Sequence, residues 1–366
     1  MKLHKKERLD YLDMVKGLGI ILVVIGHSTY AGENLLTWIA SFHMPLFFII
    51  SGMLLQFNRE EENDIGKTVK KKLRTILLPY FSFSVIYLIM DGMMLFLHLG
   101  SKVWVDFVYE FLGTITLYGI STLWFLPALF LGEISFLYIR KKRNHFLTIG
   151  VGIALALVVG LTHPLFDSTY PLFNAIYYLL PGYFLIFLYR SAVAYVFIMM
   201  GYYTQLFIKE NIGIQIREIF LGVALLVAGM AFAFANGRVD LHSVIFHNNI
   251  YFYISAFAGT MGTVFLCRNI RYCGKQRLLK PVLAAGRNSL IIMVTHLEFR
   301  VMITAIRGAG LVSTRMPGLM PYIQWILVAV LVILMEWVIV VVMNRYFYFL
   351  IGKRKPLNRK KFTVVK

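Results

Sequence analysis

The sequence has little charge and very little cysteine for its length. Asp, Glu, Lys and Arg make up 15% of the 366 residues, whereas 59% are apolar. A soluble globular protein carries about 25% charged residues, so this composition excludes that class. The two cysteines, Cys267 and Cys273, are too few for a disulfide framework, and their spacing matches no zinc-binding pattern. We therefore expect reduced, structural thiols and no metal site.

Long apolar runs dominate instead, and ten of them approach the roughly 20 residues that cross a bilayer as a helix. They predict an all-α polytopic membrane bundle of about ten transmembrane helices, multi-pass in the plasma membrane. We expect one integral membrane domain at 1–352 and a basic cytoplasmic tail at 353–366. The first run follows a charged N-terminus without a small-residue cleavage site, which predicts a retained helix and not a removed signal peptide. The predicted spans are 13–31, 38–57, 77–98, 122–140, 146–163, 188–208, 218–236, 249–268, 287–305 and 322–350.

The net charge of +19 is concentrated in the short segments between these spans. With the N-terminus inside, 29 of the 37 Lys and Arg residues fall on the inner side. Inner loops of membrane proteins carry such an excess, so we predict that both termini are cytoplasmic and that the number of spans is even. This rule, together with contact with anionic lipid, accounts for the charge. We expect the lipid bilayer as a partner and no nucleic acid.

The first predicted span carries two ionisable residues, Lys16 and His27. They are 11 positions apart, which on a helix is about 16 Å of rise and about 20° from three full turns, so both face the same way. Ionisable groups in an apolar span are costly and indicate a functional site by default. Asp13, three residues before Lys16, is placed to pair with it. The competing explanations are a snorkelling anchor for Lys16 and a satisfied core histidine for His27.

This placement suits a long donor with an anionic head, such as acyl-coenzyme A. Lys16 would bind the phosphates near the inner face, and His27 would act on the reactive end as general base, because the ordinary pKa of histidine is about 6.5. Arg74, at the start of the third predicted span, is a second candidate for the phosphates, since arginine binds phosphate in a bidentate way. The alternative for Arg74 is a basic cluster that only stops translocation.

Other polar residues of the predicted spans are weaker candidates. His43 opens the second predicted span, with Pro45 in its first turn, and could bind the acceptor, stabilise a developing charge or be an interfacial histidine. Trp124 could stack on a sugar or belong to the aromatic belt. Glu133 and His296 must pair or line a cavity, and structural pairing is the favoured role. Glu298, Arg300 and Glu336 are further charged residues within the ninth and tenth predicted spans, and they too must pair or line a cavity.

At these residues the chain resembles the acyltransferase-3 family of integral membrane acyltransferases, and within it the fucose 4-O-acetylase-like group. In this resemblance the family's basic residue before a histidine maps onto Lys16 and His27. Its second basic pair, often two arginines three residues apart, maps onto Lys71 and Arg74, which adds Lys71 to the donor-binding candidates. The matching segments are 8–17, 26–27, 42–52, 77–80, 123–126 and 286–296.

The resemblance implies transfer of an acyl group, usually acetyl, from cytoplasmic acetyl-CoA to a hydroxyl of a saccharide, cell-surface or lipid-linked. Acyl-CoA would be a co-substrate, with no tightly bound cofactor. Some relatives carry a fused extracellular esterase-like domain that completes the transfer. This sequence shows none, so a separate extracytoplasmic acyltransferase is a further candidate partner. Acetyl against succinyl, and direct transfer against an acyl-enzyme, stay open.

The alternative function is a component of polysaccharide export or a flippase, since a polar path through ten helices could move a glycan. That function needs no titratable group at position 27. No inverted repeat is evident in the sequence, which weighs slightly against a transporter. A sensor function is weakened by the lack of a soluble output domain. The pair of Lys16 and His27 favours the enzyme.

Overall fold

A computed structural model describes residues 10–28, 30–99, 102–142, 144–166, 180–208, 213–270, 272, 276–314 and 320–354. The described chain is helical, and within it β structure is confined to one isolated bridge, between Asp240 and Ile245. Cys273 and the tail beyond residue 354 lie outside the described residues. The helices are α1 Asp10–Gly26, α2 Glu33–Phe57, α3 Ile65–Lys72, α4 Leu78–Phe96, α5 Trp104–Ile115, α6 Phe125–Lys141, α7 His145–Thr162, α8 Leu180–Phe207, α9 Ile216–Asn236, α10 Asn249–Ile270, α11 Gln276–Arg287, α12 Ser289–Thr295, α13 Val301–Ser313 and α14 Met320–Arg345.

Eight helices of the described chain are long and apolar enough to cross a membrane, which confirms the all-α polytopic bundle. One of the eight combines α3 and α4 through the π-helical turn Leu73–Leu77. The first predicted span corresponds to α1, whose 17 residues lie at the lower limit for crossing a bilayer. The short helix α5 exposes Trp104, Val108 and Phe111, as expected of a helix that lies along an interface.

The ninth predicted span, 287–305, is wrong as a continuous helix. Helix α12 ends at Thr295, and α13 begins at Val301 after a turn in which Arg300 has a left-handed backbone with φ of 57°. Irregular backbone at membrane depth is tolerated where protein surrounds it, because its polar groups then find partners. His296 and Glu298 therefore lie in a turn between two helices and not inside a span.

The predicted start of the second span, at residue 38, is also wrong. Helix α2 begins at Glu33, so Pro45 lies in the helix interior and not in its first turn. Proline has no N–H to donate to the carbonyl four residues earlier, and membrane helices tolerate this loss where neighbouring groups compensate. Because α2 begins at Glu33, His43 lies ten residues into the helix, about 15 Å from the first residue.

Helices α2 and α8 form the centre of the bundle. In each of them 67% of an apolar 18-residue stretch is buried, against 17% in the peripheral helices α7 and α9. The two central helices touch backbone to backbone, because Gly52 lies against Ile198 and Tyr202, and Gly201 lies against Ile49. Small residues at helix interfaces permit such close approach in membranes. The contact fixes α2, and with it the depth of His43.

We predict that Gly201→Ala destabilises the protein by about 1–3 kcal/mol, the usual cost of overpacking. The added Cβ would overlap the Ile49 carbonyl and force α2 and α8 apart. The measurement is the thermal midpoint of the detergent-solubilised protein. Gly150→Ala is the matched control, because a Cβ at Gly150 meets nothing within 4 Å. Equal midpoints for the two variants would contradict this packing.

Candidate functional site

A cavity of about 560 Å³ lies where α1 ends and α2 begins. This volume is typical of pockets that hold small molecules. Four helical segments, namely α1, α2, the 3-10 turn Ser121–Trp124 and α12, supply its walls together with the loop after α9. The loop closes it on the predicted outer side. The polar and aromatic side chains that line it include His27, His43, Thr122, Trp124, Asp240 and His242.

His27 follows the last residue of α1 and is accessible from the cavity. Its backbone N–H points at the carbonyls of Val23 and Val24, at 3.2 and 3.3 Å, so the helical geometry continues to this residue. The side chain is therefore held by a helix end and not by a free loop. The predicted common direction of Lys16 and His27 stays a prediction.

His43 lines the same cavity from α2, which brings together the two histidines that the sequence singled out. Its Nδ1 lies 2.8 Å from the Ile39 carbonyl oxygen. Because a carbonyl can only accept a hydrogen bond, Nδ1 carries the proton and Nε2 keeps a lone pair. His43 is therefore oriented by its own helix, and it is half-buried ten residues into α2.

Trp124 is buried, at 6% exposure, and forms part of the cavity wall. Its ring lies 5.2 Å from the guanidinium of Arg190 and 6.0 Å from the ring of His242. These contacts differ from those of a lipid-facing belt residue, so the belt interpretation is wrong.

Arg190 is the residue of this wall that the sequence analysis missed. It is fully buried ten residues into α8, and its Nε and Nη1 donate to the carbonyls of His242 and Tyr118 at 2.8 and 2.7 Å. A charged donor is worth more than a neutral one in such a dry site, so Arg190 fastens the outer loop to the bundle. The sequence contains a signal for Arg190, because a single arginine in an apolar span indicates a functional site.

The outer loop is also held by its own polar groups. Asp240 accepts hydrogen bonds from the backbone N–H of His242 at 2.9 Å and from the hydroxyl of Ser243 at 2.7 Å. Asn236, at the end of α9, donates to the Phe246 carbonyl at 3.0 Å. The loop is thus a cavity wall held by its own hydrogen bonds, with Val239, Leu241 and Val244 buried.

His296 lies directly behind His27. It is fully buried, and the two imidazole centres are 5.3 Å apart at an interplanar angle of 46°. Its neighbours Met293 and Leu297 line the cavity, so the turn between α12 and α13 forms the cavity's rear wall. Glu336, which the sequence left without a partner, accepts a hydrogen bond from Thr295 at 2.7 Å.

The predicted donor-binding cations belong to two separate groups of charges. In the first ionic cluster, Lys16 pairs with Asp13 at 2.8 Å, as its i,i+3 spacing predicts. Asp13 also accepts from Arg287 at 3.3 Å, and Arg287 reaches Asp10 at 2.9 Å. Asp13 is buried and does not line the outer cavity. The ion pairs of Arg287 with Asp13 and Asp10 join α11 to α1.

The second ionic cluster lies at the start of the α3–α4 span. Lys71 pairs with Glu60 at 2.5 Å, and Lys72 joins Glu60 at 3.5 Å to Glu133 at 2.7 Å. Glu133 also accepts a hydrogen bond from Ser51. Glu133 therefore has the structural pairing that the sequence favoured, and Lys72 is the partner that was missed. Arg74 is exposed on the adjacent π-helical turn.

Comparison with known proteins gives one match. The model of a family described as an acyltransferase domain, acyltransferase-3, matches residues 9–341. No curated protein and no solved structure matches the chain. Within the described residues, no group of three or more His, Cys, Asp or Glu side chains is arranged to hold a metal ion.

We predict that His242 makes stability depend on pH. Burial, followed by the positive charge of Arg190, lowers the pKa of His242 from 6.5 to about 4. The unfolded chain then binds the proton more readily than the folded one. The stabilising contribution is complete above pH 6.5 and is lost as the pH falls towards 4.

The measurement is the thermal midpoint between pH 7 and pH 4.5. The midpoint of His242→Gln should fall less steeply than that of the wild type over this range. His247→Asn, at an exposed histidine of the same loop, is the control and should keep the wild-type slope. An unchanged slope in His242→Gln would show that this histidine does not titrate between the two states.

Proposed function

The chain belongs to the acyltransferase-3 family, and from that premise we propose that it transfers an acetyl group from cytoplasmic acetyl-CoA to a saccharide hydroxyl. The saccharide would be a cell-surface or lipid-linked glycan, and the membrane would be the plasma membrane. Family membership and the long apolar helices make the protein a membrane acyltransferase. The narrower likeness to the fucose 4-O-acetylase-like group stays a prediction, as does succinyl as the acyl group.

The observation that carries this proposal is the convergence of His27 and His43 on one cavity. Two imidazoles in a protected pocket can accept a proton and stabilise charge, which are the two tasks of acyl transfer to a hydroxyl. Thr122, Trp124 and Asp240 give the same cavity polar and flat aromatic surfaces, as a sugar would require. Glu133 and Asp13 are satisfied elsewhere and have no part in this chemistry.

In the proposed reaction, His27 removes the proton of the acceptor hydroxyl. The oxygen attacks the thioester carbonyl, and the carbon–sulfur bond breaks. The proton passes from His27 to the thiolate, so the products are the acetyl ester and coenzyme A. His43 would bind the acceptor or stabilise the developing oxyanion. A covalent route, in which the ring nitrogen of His27 first carries the acetyl group, uses the same residue.

The donor would enter from the cytoplasmic side. Lys16, Lys71 and Arg74 are the proposed phosphate ligands, and two of them already have acidic partners. Because Lys71 is half exposed and Arg74 is exposed, both are accessible to a nucleotide. Lys16 would have to share its charge between Asp13 and the donor. Arg74 is therefore the strongest of the three candidates.

We predict that His27→Ala lowers kcat by about 10²–10⁴-fold, the usual contribution of a general base. The assay uses purified protein in liposomes, radiolabelled acetyl-CoA and extracted surface glycan. The control is His98→Asn, an exposed histidine with φ of 53°, where asparagine tolerates the backbone. That variant should transfer label normally.

Two other results would be informative. Normal transfer by His27→Ala would show that the proposed base is wrong. Absence of both transfer and acetyl-CoA binding in the wild type would favour the export function, which needs no base at position 27. Expression and the thermal midpoint of each variant show whether a loss of activity is a loss of folding.

A second prediction concerns the donor. Arg74→Gln should raise KM for acetyl-CoA about 10- to 100-fold and leave kcat and the acceptor KM unchanged, because it removes one charge-assisted phosphate contact. Lys67→Gln, at an exposed cation on α3, is the control and should leave all three constants unchanged. Equal constants in both variants would remove Arg74 from the donor site.

A further inference from the structure

We propose that His296 positions His27 for catalysis by accepting a hydrogen bond from its ring N–H. This inference rests on the proposed function of His27 as base. The hydrogen bond would fix the tautomer and the ring orientation of His27, so that its second nitrogen faces the cavity with a free lone pair. His296 would be a positioning residue, since it lies behind His27 and does not line the cavity itself.

The distance between the two rings fits this role. Two imidazoles joined by an in-line N–H···N hydrogen bond of about 2.9 Å have centres roughly 5.1 Å apart, since each nitrogen lies about 1.1 Å from its ring centre. The observed separation of His27 and His296 is 5.3 Å. The rings are tilted by 46° and not stacked, so an edge of one can meet an edge of the other.

His296 is prepared to accept and not to donate. Its Nδ1 lies 2.8 Å from the Ile292 carbonyl oxygen, which can only accept, so Nδ1 carries the proton. Its Nε2 is a buried acceptor, and no described residue serves as its hydrogen-bond partner. A buried polar atom without a partner costs about 1–3 kcal/mol. The N–H of His27 would remove this cost.

The turn that carries His296 is held in place from several sides. Ending α12 leaves carbonyls free, and side chains from other elements occupy them: Thr122 donates to Met293 at 2.8 Å, and Tyr87 donates to Val294. The His296 carbonyl accepts from the Met302 N–H at 2.8 Å, which joins the turn to α13. Such support is what a precise catalytic group needs, because small displacements weaken it.

Two nearby carboxylates accept hydrogen bonds from other groups. Asp240 accepts from His242 and Ser243, and Glu336 accepts from Thr295. A base is commonly oriented by a third group that is often a carboxylate. Here the neutral Nε2 of His296 would perform that task without placing a second charge in the apolar interior, where a charge is costly.

The test compares two substitutions at His296. His296→Leu removes the acceptor, and we expect kcat to fall about 10- to 100-fold, the usual effect of losing an orienting partner, with KM for acetyl-CoA and acceptor within twofold. His296→Gln places its Oε1 close to the position of Nε2, and we expect most of the activity to return. A purely structural role predicts equal losses in both variants, and that result would overturn the proposal, as would wild-type kcat in His296→Leu.

Double substitution separates this inference from the proposed function. If His27→Ala is inactive, adding His296→Leu should cause no further loss, because the second residue acts through the first. Inactive His27→Ala with fully active His296→Leu would overturn only the inference. Active His27→Ala would overturn the proposed function instead, and the role of His296 with it.

A measurement on the wild type covers the case in which His296→Leu does not fold. Nitrogen-15 labelling of histidine reports which ring nitrogen carries the proton, and His27→Ala identifies the signal of His27. We expect a single neutral tautomer for His27 at pH 8. An average of both tautomers would overturn the proposal.

Discussion

A dry helical interior requires that each buried polar group find its partner within the protein, because no water is present to replace one. Arg190 meets this demand by donating to the Tyr118 carbonyl and to the His242 carbonyl of the outer loop, and that loop closes the cavity. Thr122 and Tyr87 meet it at the end of α12, where the helix stops. The cavity with its histidines exists because these partners permit non-helical backbone at membrane depth.

The helices could be predicted from the sequence because apolar runs are a local property. The eight long apolar helices of the described chain agree with predicted spans, apart from shifts at their ends. The break after Thr295 could not be predicted in the same way. The run from 287 to 305 is apolar apart from a few residues such as His296, Glu298 and Arg300, and only side chains distant in sequence, such as Tyr87, satisfy the backbone carbonyls that a break leaves free. Long-range partners are invisible to a window of neighbouring residues.

In the candidate site, too, contacts between residues close in sequence were predictable, and contacts between distant residues were not. The pair of Asp13 and Lys16 is one helical turn apart, so the sequence predicts it, and the structure contains it. Lys72 was missed because its two acidic partners are distant, and only the folded chain brings Glu60 and Glu133 to it. The depth of His43 was misjudged because α2 begins five residues earlier than its apolar run suggests. The residue types in the sequence therefore indicated which chemical groups the site contains, whereas the positions of these groups relative to one another depend on the fold.

The backbone contact between α2 and α8 limits how the molecule can move. Alternating access requires two bodies that rock against each other along a seam of side chains that can slide. At Gly52 and Gly201 no side chains separate the two helices, and each backbone fills the recess of the other. Any rocking motion would have to carry α2 and α8 together. Within the proposed function, a glycan would therefore meet a fixed wall at the centre of this bundle and would be modified beside it.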